Sequence, residues 1–144
     1  MKILELIKSG INLDNVKGIA EKAPPTDVVS LEIKYPFPSL NFAHSASGKA
    51  HWKERKSVVD KAENLIASKM LPHRGLMMEQ YTFSIRYNSK IDPVNVAYAA
   101  KMFEDCCGYL KIITKDDKRY NRGFSITPDE NLNHNTYCFV LRRV

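Results

Sequence analysis

The stretch that decides the fold runs from Tyr81 to Asp105 and reads YTFSIRYNSKIDPVNVAYAAKMFED. Its first eight residues alternate apolar and polar side chains, which is the period-two pattern of a strand with one buried face. From Val96 onward the apolar residues recur at intervals of three and four, the spacing of an amphipathic helix. Asp92 and Pro93 stand between the two patterns and are typical of a helix start. The stretch therefore predicts a strand, a short loop and a helix.

The same two patterns recur on both sides of this stretch. Val28 to Tyr35 alternates like a strand, and apolar residues at helical spacing run from Trp52 to Met70. After a turn at Lys115-Asp116-Asp117, strands are predicted near Gly123 to Thr127 and Thr136 to Arg142. The predicted order is β, α, β, α, β, β. It indicates an α/β (α+β) domain over residues 28–144, with a small mixed sheet packed with two main helices.

Residues 1–27 differ in composition from this domain. Met1 to Lys8 has the pattern of a short amphipathic helix, and turn formers and charged residues follow it. We interpret residues 1–27 as a helical appendage and linker.

Composition bounds the class of protein. A chain of 144 residues with 44% hydrophobic residues fits one domain with a single core. No apolar run approaches the roughly 20 residues needed to cross a bilayer. The three cysteines are odd in number and no signal peptide is recognisable, so we expect a reduced, cytoplasmic setting. The net charge of +6 is compatible with a polyanionic partner.

Three aspartates have the chemistry of a metal site. Asp92 follows a predicted strand, and Asp116 and Asp117 follow the next helix. Mg²⁺ prefers carboxylate oxygens and keeps several waters, and such an ion can activate water for phosphodiester cleavage. The residue types alone leave a simpler alternative open, because Asp before Pro is a common helix start and Asp-Asp a common turn.

Several short motifs follow one another in an order that resembles the RusA-type Holliday-junction resolvases. The resemblance covers about residues 29 to 143 and depends on more than one motif. The matching motifs are Pro38-Ser39-Leu40-Asn41, His51-Trp52, Asp92-Pro93-Val94-Asn95, Lys101 with Asp105, and Asp116-Asp117 followed by Lys118-Arg119-Tyr120.

The resemblance implies a homodimer that binds four-way DNA junctions and cuts them symmetrically with Mg²⁺, for which Mn²⁺ can substitute. On the same grounds Asp92 and Asp117 are expected to be catalytic metal ligands, and Asp116 a neighbouring acid of the metal site. Lys101 is expected near the scissile phosphate and Asn95 at the helix start.

Basic and polar residues are expected to contact the DNA, mainly through its phosphates. For the long helix, a solvated charged face is the alternative, and Trp52 at helical spacing is expected to pack rather than stack on a base. The expected DNA-binding residues are Asn41, Lys49, His51, Lys53, Lys56, Arg86, Asn95, Lys118 and Arg119.

Val94 departs from the family pattern, which usually has a second motif aspartate at that position. An isopropyl group cannot ligate a cation, so the departure bears directly on catalysis. Three alternatives follow: a single-metal mechanism through Asp92 and Asp117, replacement of the ligand by Asp116 or Asp105, or junction binding without cleavage. A non-catalytic accessory protein of DNA recombination is therefore the main rival to the nuclease, and a phage or prophage protein with no DNA role is a third hypothesis.

Other reactive residues have simpler explanations. Cys106 and Cys107 lie on or beside the apolar stripe of the helix and are predicted to be packing residues rather than nucleophiles. The histidines have no zinc-site spacing. Without the resemblance, Lys101 and Asp105 are simply an i, i+4 ion pair.

Overall fold

The computed structural model describes residues 3–40 and 49–144, except for the side chains of residues 49–52. This part of the chain contains three α-helices and four strands, with 3₁₀ turns at Leu13–Asn15 and Leu71–His73, and the last two strands follow each other without a helix between them. The elements are α1 (Ile3–Lys8), β1 (Val28–Lys34), α2 (Lys49–Met70), β2 (Tyr81–Asn88), α3 (Pro93–Tyr109), β3 (Asn121–Pro128) and β4 (Thr136–Arg143).

The strands form one mixed sheet in the order β1-β4-β2-β3. β4 pairs antiparallel with both β1 and β2, whereas β2 and β3 are parallel neighbours. Two parallel neighbours require a crossover, and α3 supplies it, so α3 runs back along the sheet from the end of β2 toward the start of β3. The predicted α+β architecture, a small mixed sheet packed with helices, is confirmed.

The core lies between the helices and one face of the sheet. Alternate residues of β2 are buried on this face, as the period-two pattern predicted, and Tyr137, Phe139 and Leu141 of β4 are buried beside them. Phe103 of α3 stacks on Phe139 of β4 with 4.6 Å between ring centroids, and Phe37 packs against both Phe103 and Tyr137. The apolar stripe predicted for α3 is buried in full: Val96, Ala99, Ala100, Phe103, Cys107 and Leu110.

The element boundaries differ from the predicted ones by a few residues. β1 ends at Lys34, and the ring of Tyr35 instead meets Phe37 edge-on at 5.1 Å. α3 begins at Pro93, before the first buried residue of its stripe, because proline suits the first turn of a helix. β3 begins at Asn121 rather than near Gly123.

The N-terminal segment contacts the rest of the molecule along α2 and the turn that follows it. The Leu4 N–H donates to Asn64 Oδ1 at 3.0 Å, and the Leu4 side chain is buried. Farther along, the Arg74 guanidinium donates to Asp14 Oδ1 at 3.0 Å and to the Ala20 carbonyl at 2.8 Å. Among the described helices, none has the length and apolar character needed to span a bilayer.

Truncation of Phe103 tests the aromatic layer. Phe103→Ala removes a fully buried ring from between the helix and the sheet, and we expect it to lower the free energy of unfolding by about 3–5 kcal/mol. Phe124→Ala is the comparison variant, because Phe124 on β3 is 55% exposed and its ring stacks only on Phe83, at 5.3 Å, so its loss should be at most about 1.5 kcal/mol. Urea unfolding of the two variants measures both values. Equal losses would contradict this assignment of the core.

Candidate functional site

Asp92 lies at the end of β2, in the N-cap position of α3. Its backbone is extended, and its carbonyl accepts from the N–H groups of Asn95 at 2.9 Å and Val96 at 3.2 Å. The Asp92 side chain makes no capping hydrogen bond and is exposed. Its carboxylate therefore faces solvent at the positive end of the helix dipole, where negative charge is favourable.

Val94 stands two residues farther on, in the first turn of α3, and 74% of it is exposed. An apolar side chain this exposed contributes little to the core. The position thus has the exposure of a surface site beside Asp92 but lacks any group that could bind a cation.

A second group of acidic side chains lies around Lys101. Its ammonium contacts Asp116 Oδ2 at 2.8 Å and Asp105 Oδ1 at 3.0 Å, so one lysine bridges α3 and the segment that follows it. The predicted i, i+4 pair is confirmed, and the contact with Asp116 adds a partner that spacing on the helix could not reveal. Although partial burial lowers the pKa of Lys101, its hydrogen bonds to Asp116 and Asp105 more than offset this, and the net shift is upward.

The carboxylates in this group each have a cationic partner. The hydrogen bond from Lys101 holds the pKa of Asp116 below its usual value. The Arg119 side chain donates to Asp117 Oδ2 at 2.9 Å, and its backbone N–H donates to Asp117 Oδ1 at 2.9 Å. These bonds lower the pKa of Asp117. Both aspartates are therefore ionised at neutral pH and compensated by neighbouring cations.

The fold holds Asp92 away from Asp116 and Asp117. Asp105, which shares the Lys101 ammonium with Asp116, comes thirteen residues after Asp92, or about 20 Å along α3 at 1.5 Å per residue. Oxygens that bind one Mg²⁺ each lie about 2.1 Å from it, so they must be within roughly 4 Å of one another. A single protomer does not bring Asp92 to the same ion as the other two aspartates.

The direction of α3 is the physical reason for this separation. The end of β2 and the start of the parallel strand β3 are at opposite ends of the sheet along the strand direction, and Asp92 and Asp117 mark these two points. Among the described side chains, those of residues 3–40 and 53–144, no three His, Cys, Asp or Glu side chains are placed to hold a metal ion.

A hollow of about 300 Å³ lies at the end of the sheet where Asp117 is found, and four acidic residues are among those that line it: Glu104, Asp105, Asp116 and Asp117. Glu104 was missed by the sequence analysis. Its Oε2 accepts from the Tyr81 hydroxyl at 2.6 Å and from Asn121 Nδ2 at 2.7 Å, and the residue is only 8% exposed. Its position, four residues after Ala100 and three before Cys107, was the available signal, because it places Glu104 on the buried stripe.

The predicted DNA-binding residues lie on different parts of the surface. Lys53 and Lys56 are exposed on α2. Arg86 is on the sheet face away from the helices and pairs with Asp129 at 2.6 Å, whereas Lys118 and Arg119 are in the turn before β3. Asn95 is in the first turn of α3. Asn41 and the side chains of Lys49, His51 and Trp52 lie outside the described residues.

The adjacent cysteines are packing residues, as predicted. Cys106 and Cys107 are both fully buried, and burial raises the pKa of each thiol far above its usual value. A thiolate nucleophile at either position is therefore strongly disfavoured at neutral pH.

The chain matches no protein-family model and no curated protein sequence.

Removal of the Lys101 ammonium tests the electrostatics of the acidic group. In Lys101→Met we expect the pKa of Asp116 to rise toward the ordinary aspartate value of about 3.9. Asp117 is the internal control, because Arg119 keeps its pKa low in both proteins. Since the folded-state pKa of Asp116 is lowered, its contribution to stability is present above the unfolded pKa and is lost as pH falls through the folded value. Carboxyl-detected NMR titration gives both pKa values, and an unchanged Asp116 would contradict the contact.

Removal of the Glu104 carboxylate tests the buried network. Glu104→Ala leaves the Tyr81 hydroxyl and the Asn121 amide without their acceptor, and we expect a loss of about 2–4 kcal/mol in the free energy of unfolding. Glu130→Ala, at an exposed loop position, is the control and should change stability by under about 0.5 kcal/mol. Thermal and urea unfolding provide the measurement. A neutral Glu104→Ala would show that the network contributes nothing.

Proposed function

We propose that this protein is a RusA-like endonuclease that acts on four-way DNA junctions, by metal-dependent hydrolysis of phosphodiester bonds in recombination and repair. The ordered motifs support the family, and one structural observation supports the site. Asp92 is an exposed carboxylate at a strand end whose side chain is not used as a helix cap, so its oxygens are available to a cation. Helix N-termini at strand ends are common positions for phosphate and metal chemistry.

The chain's own residues define what such a site could do. Asp92 would hold Mg²⁺ or Mn²⁺, which when bound would activate water and stabilise the leaving oxygen. The Lys101 ammonium contacts Asp116 from the middle of α3, and Asp117 lies at the opposite end of the sheet from Asp92. Lys101 and Asp117 can join Asp92 at one phosphate only if a homodimer places the Asp92 end of one protomer beside the Asp117 end of its partner. The proposed homodimer is therefore required by this mechanism and is more than a match to a two-fold substrate.

A second candidate is a junction-binding accessory protein without cleavage. Two observations favour it: Val94 offers no ligand, and Asp116 and Asp117 are already compensated by Lys101 and Arg119. An ion at either carboxylate would have to compete with a cation that is part of the fold. An accessory protein of this kind would retain the basic surface and the sheet for DNA binding.

A cleavage assay on a synthetic four-way junction separates the two candidates. If the protein is a nuclease, the junction is cut in Mg²⁺ or Mn²⁺, and Asp92→Asn or Asp117→Asn lowers the rate by about 100-fold or more. Glu130→Gln is the control and should cut normally. Mixing the Asp92→Asn and Asp117→Asn proteins should restore part of the activity if each site takes residues from both protomers.

The other outcomes are equally specific. If the native chain binds the junction but only Val94→Asp cuts it, the accessory function holds and the nuclease is refuted. If the native chain does not bind the junction in gel-shift assays at low salt, where phosphate contacts are strongest, both candidates fail.

A further inference from the structure

The face of the sheet opposite α2 and α3 carries a hollow that the proposed catalytic residues do not line. It has a volume of about 310 Å³ and lies over β2, β3 and β4. Its polar lining residues carry three hydroxyls and one guanidinium: Thr82, Ser84, Ser125 and Arg142. The remaining lining residues are Phe83, Gly123, Phe124 and Val140. No carboxylate is among its lining residues, whereas four carboxylates line the hollow beside Asp117.

An irregularity of the edge strand shapes this hollow. The β2–β3 register shifts between Tyr81 and Phe83, and Gly123 on β3 has a φ of +146°, which residues with side chains rarely adopt. A Cβ at Gly123 would meet no atom within 4 Å. The edge of the sheet is therefore open beside the hydroxyls, and the backbone of β3 is accessible to a ligand.

Strand register brings the polar groups together. Arg142 lies directly opposite Thr82, and Ser84 lies directly opposite Ser125. Neighbouring strands are about 4.8 Å apart and same-face residues of one strand about 7 Å apart, so a guanidinium on its long side chain can reach a group held by the two serines. None of these four side chains forms a hydrogen bond or ion pair with another described residue.

This combination selects a particular ligand chemistry. Arginine offers five N–H donors in a planar fork and cannot lose its charge, and each hydroxyl can donate one more hydrogen bond. A ligand that satisfies them must be an anion with several acceptor oxygens, and a phosphate group has both properties. The net charge of +6 on the chain adds long-range attraction for a polyanion.

We infer that this hollow is a phosphate-binding subsite that holds the backbone of a nucleic acid on the open face of the sheet. The phosphate chemistry follows from the side chains, and the identification of the polyanion as branched DNA rests on the proposed function. The subsite positions DNA and carries no base specificity, because it offers donors for phosphate oxygens.

Arg142→Gln tests the subsite, with Lys34→Gln as the matched control. Lys34 is on the same open face of the sheet but lies six residues along β1 from Val28, the neighbour of Arg142, or about 20 Å away. With a four-way junction in EDTA, we expect Arg142→Gln to weaken binding about tenfold and to reduce the slope of log K against log salt by about one. Lys34→Gln should leave both values unchanged, and Arg142→Lys should restore part of the affinity.

A second arm does not depend on DNA. Inorganic phosphate titrated into the ¹⁵N-labelled native chain should shift the amide signals of Ser84, Gly123 and Ser125 in a saturable way, and Arg142→Gln should abolish the shifts.

The arms distinguish failure of the subsite from failure of the proposed function. Junction binding that is unchanged in Arg142→Gln, or phosphate shifts that persist in it, would overturn the subsite while leaving the proposed function in place. Phosphate shifts that depend on Arg142 without any junction binding would support the subsite and refute DNA as its ligand. The absence of both phosphate shifts and an Arg142 effect on junction binding overturns the inference.

Discussion

The parallel pairing of β2 with β3 is the constraint on which the rest of the structure depends. Two parallel neighbours cannot be joined by a hairpin, so the chain must return across the sheet, and α3 is that return. Because α3 lies on the sheet, its apolar stripe is buried against β2 and β4, where Phe103 and Phe139 stack. The buried Glu104 then ties α3 to the first residues of both parallel strands through Tyr81 and Asn121.

The same crossover organises the charges. It places Asp92 at one end of the sheet and Asp117 at the other, and it puts Lys101 within reach of Asp105 and Asp116. One end thus has a carboxylate at a helix start with no ion pair to another described residue, and the other end has carboxylates paired with cations. The two ends of the sheet call for different chemistry, and a reaction that uses both needs a second protomer.

The elements were predictable because hydrophobic periodicity reports burial directly. β2 and α3 are the clearest cases, since alternation over Tyr81 to Tyr87 and the stripe from Val96 to Leu110 match the buried residues. The i, i+4 pair of Lys101 and Asp105 was predictable for the same reason, because both residues are on one helix. Glu104 was missed because a carboxylate on an apolar stripe looks like an exception, and its two donors come from strands distant in sequence.

What the sequence determined by itself is local: the order and type of the elements, the buried faces of β2 and α3, the cysteines as packing residues, and an acidic residue at the start of α3. Each follows from interactions between residues close along the chain. Only the tertiary structure decided which carboxylates meet. Asp92 and Asp117 flank α3 in sequence, yet α3 separates them because it connects the end of β2 with the start of its parallel neighbour β3. The contact of Lys101 with Asp116 and the hollow around Arg142 likewise depend on strand pairing and on the course of the chain after α3, which residue spacing does not encode.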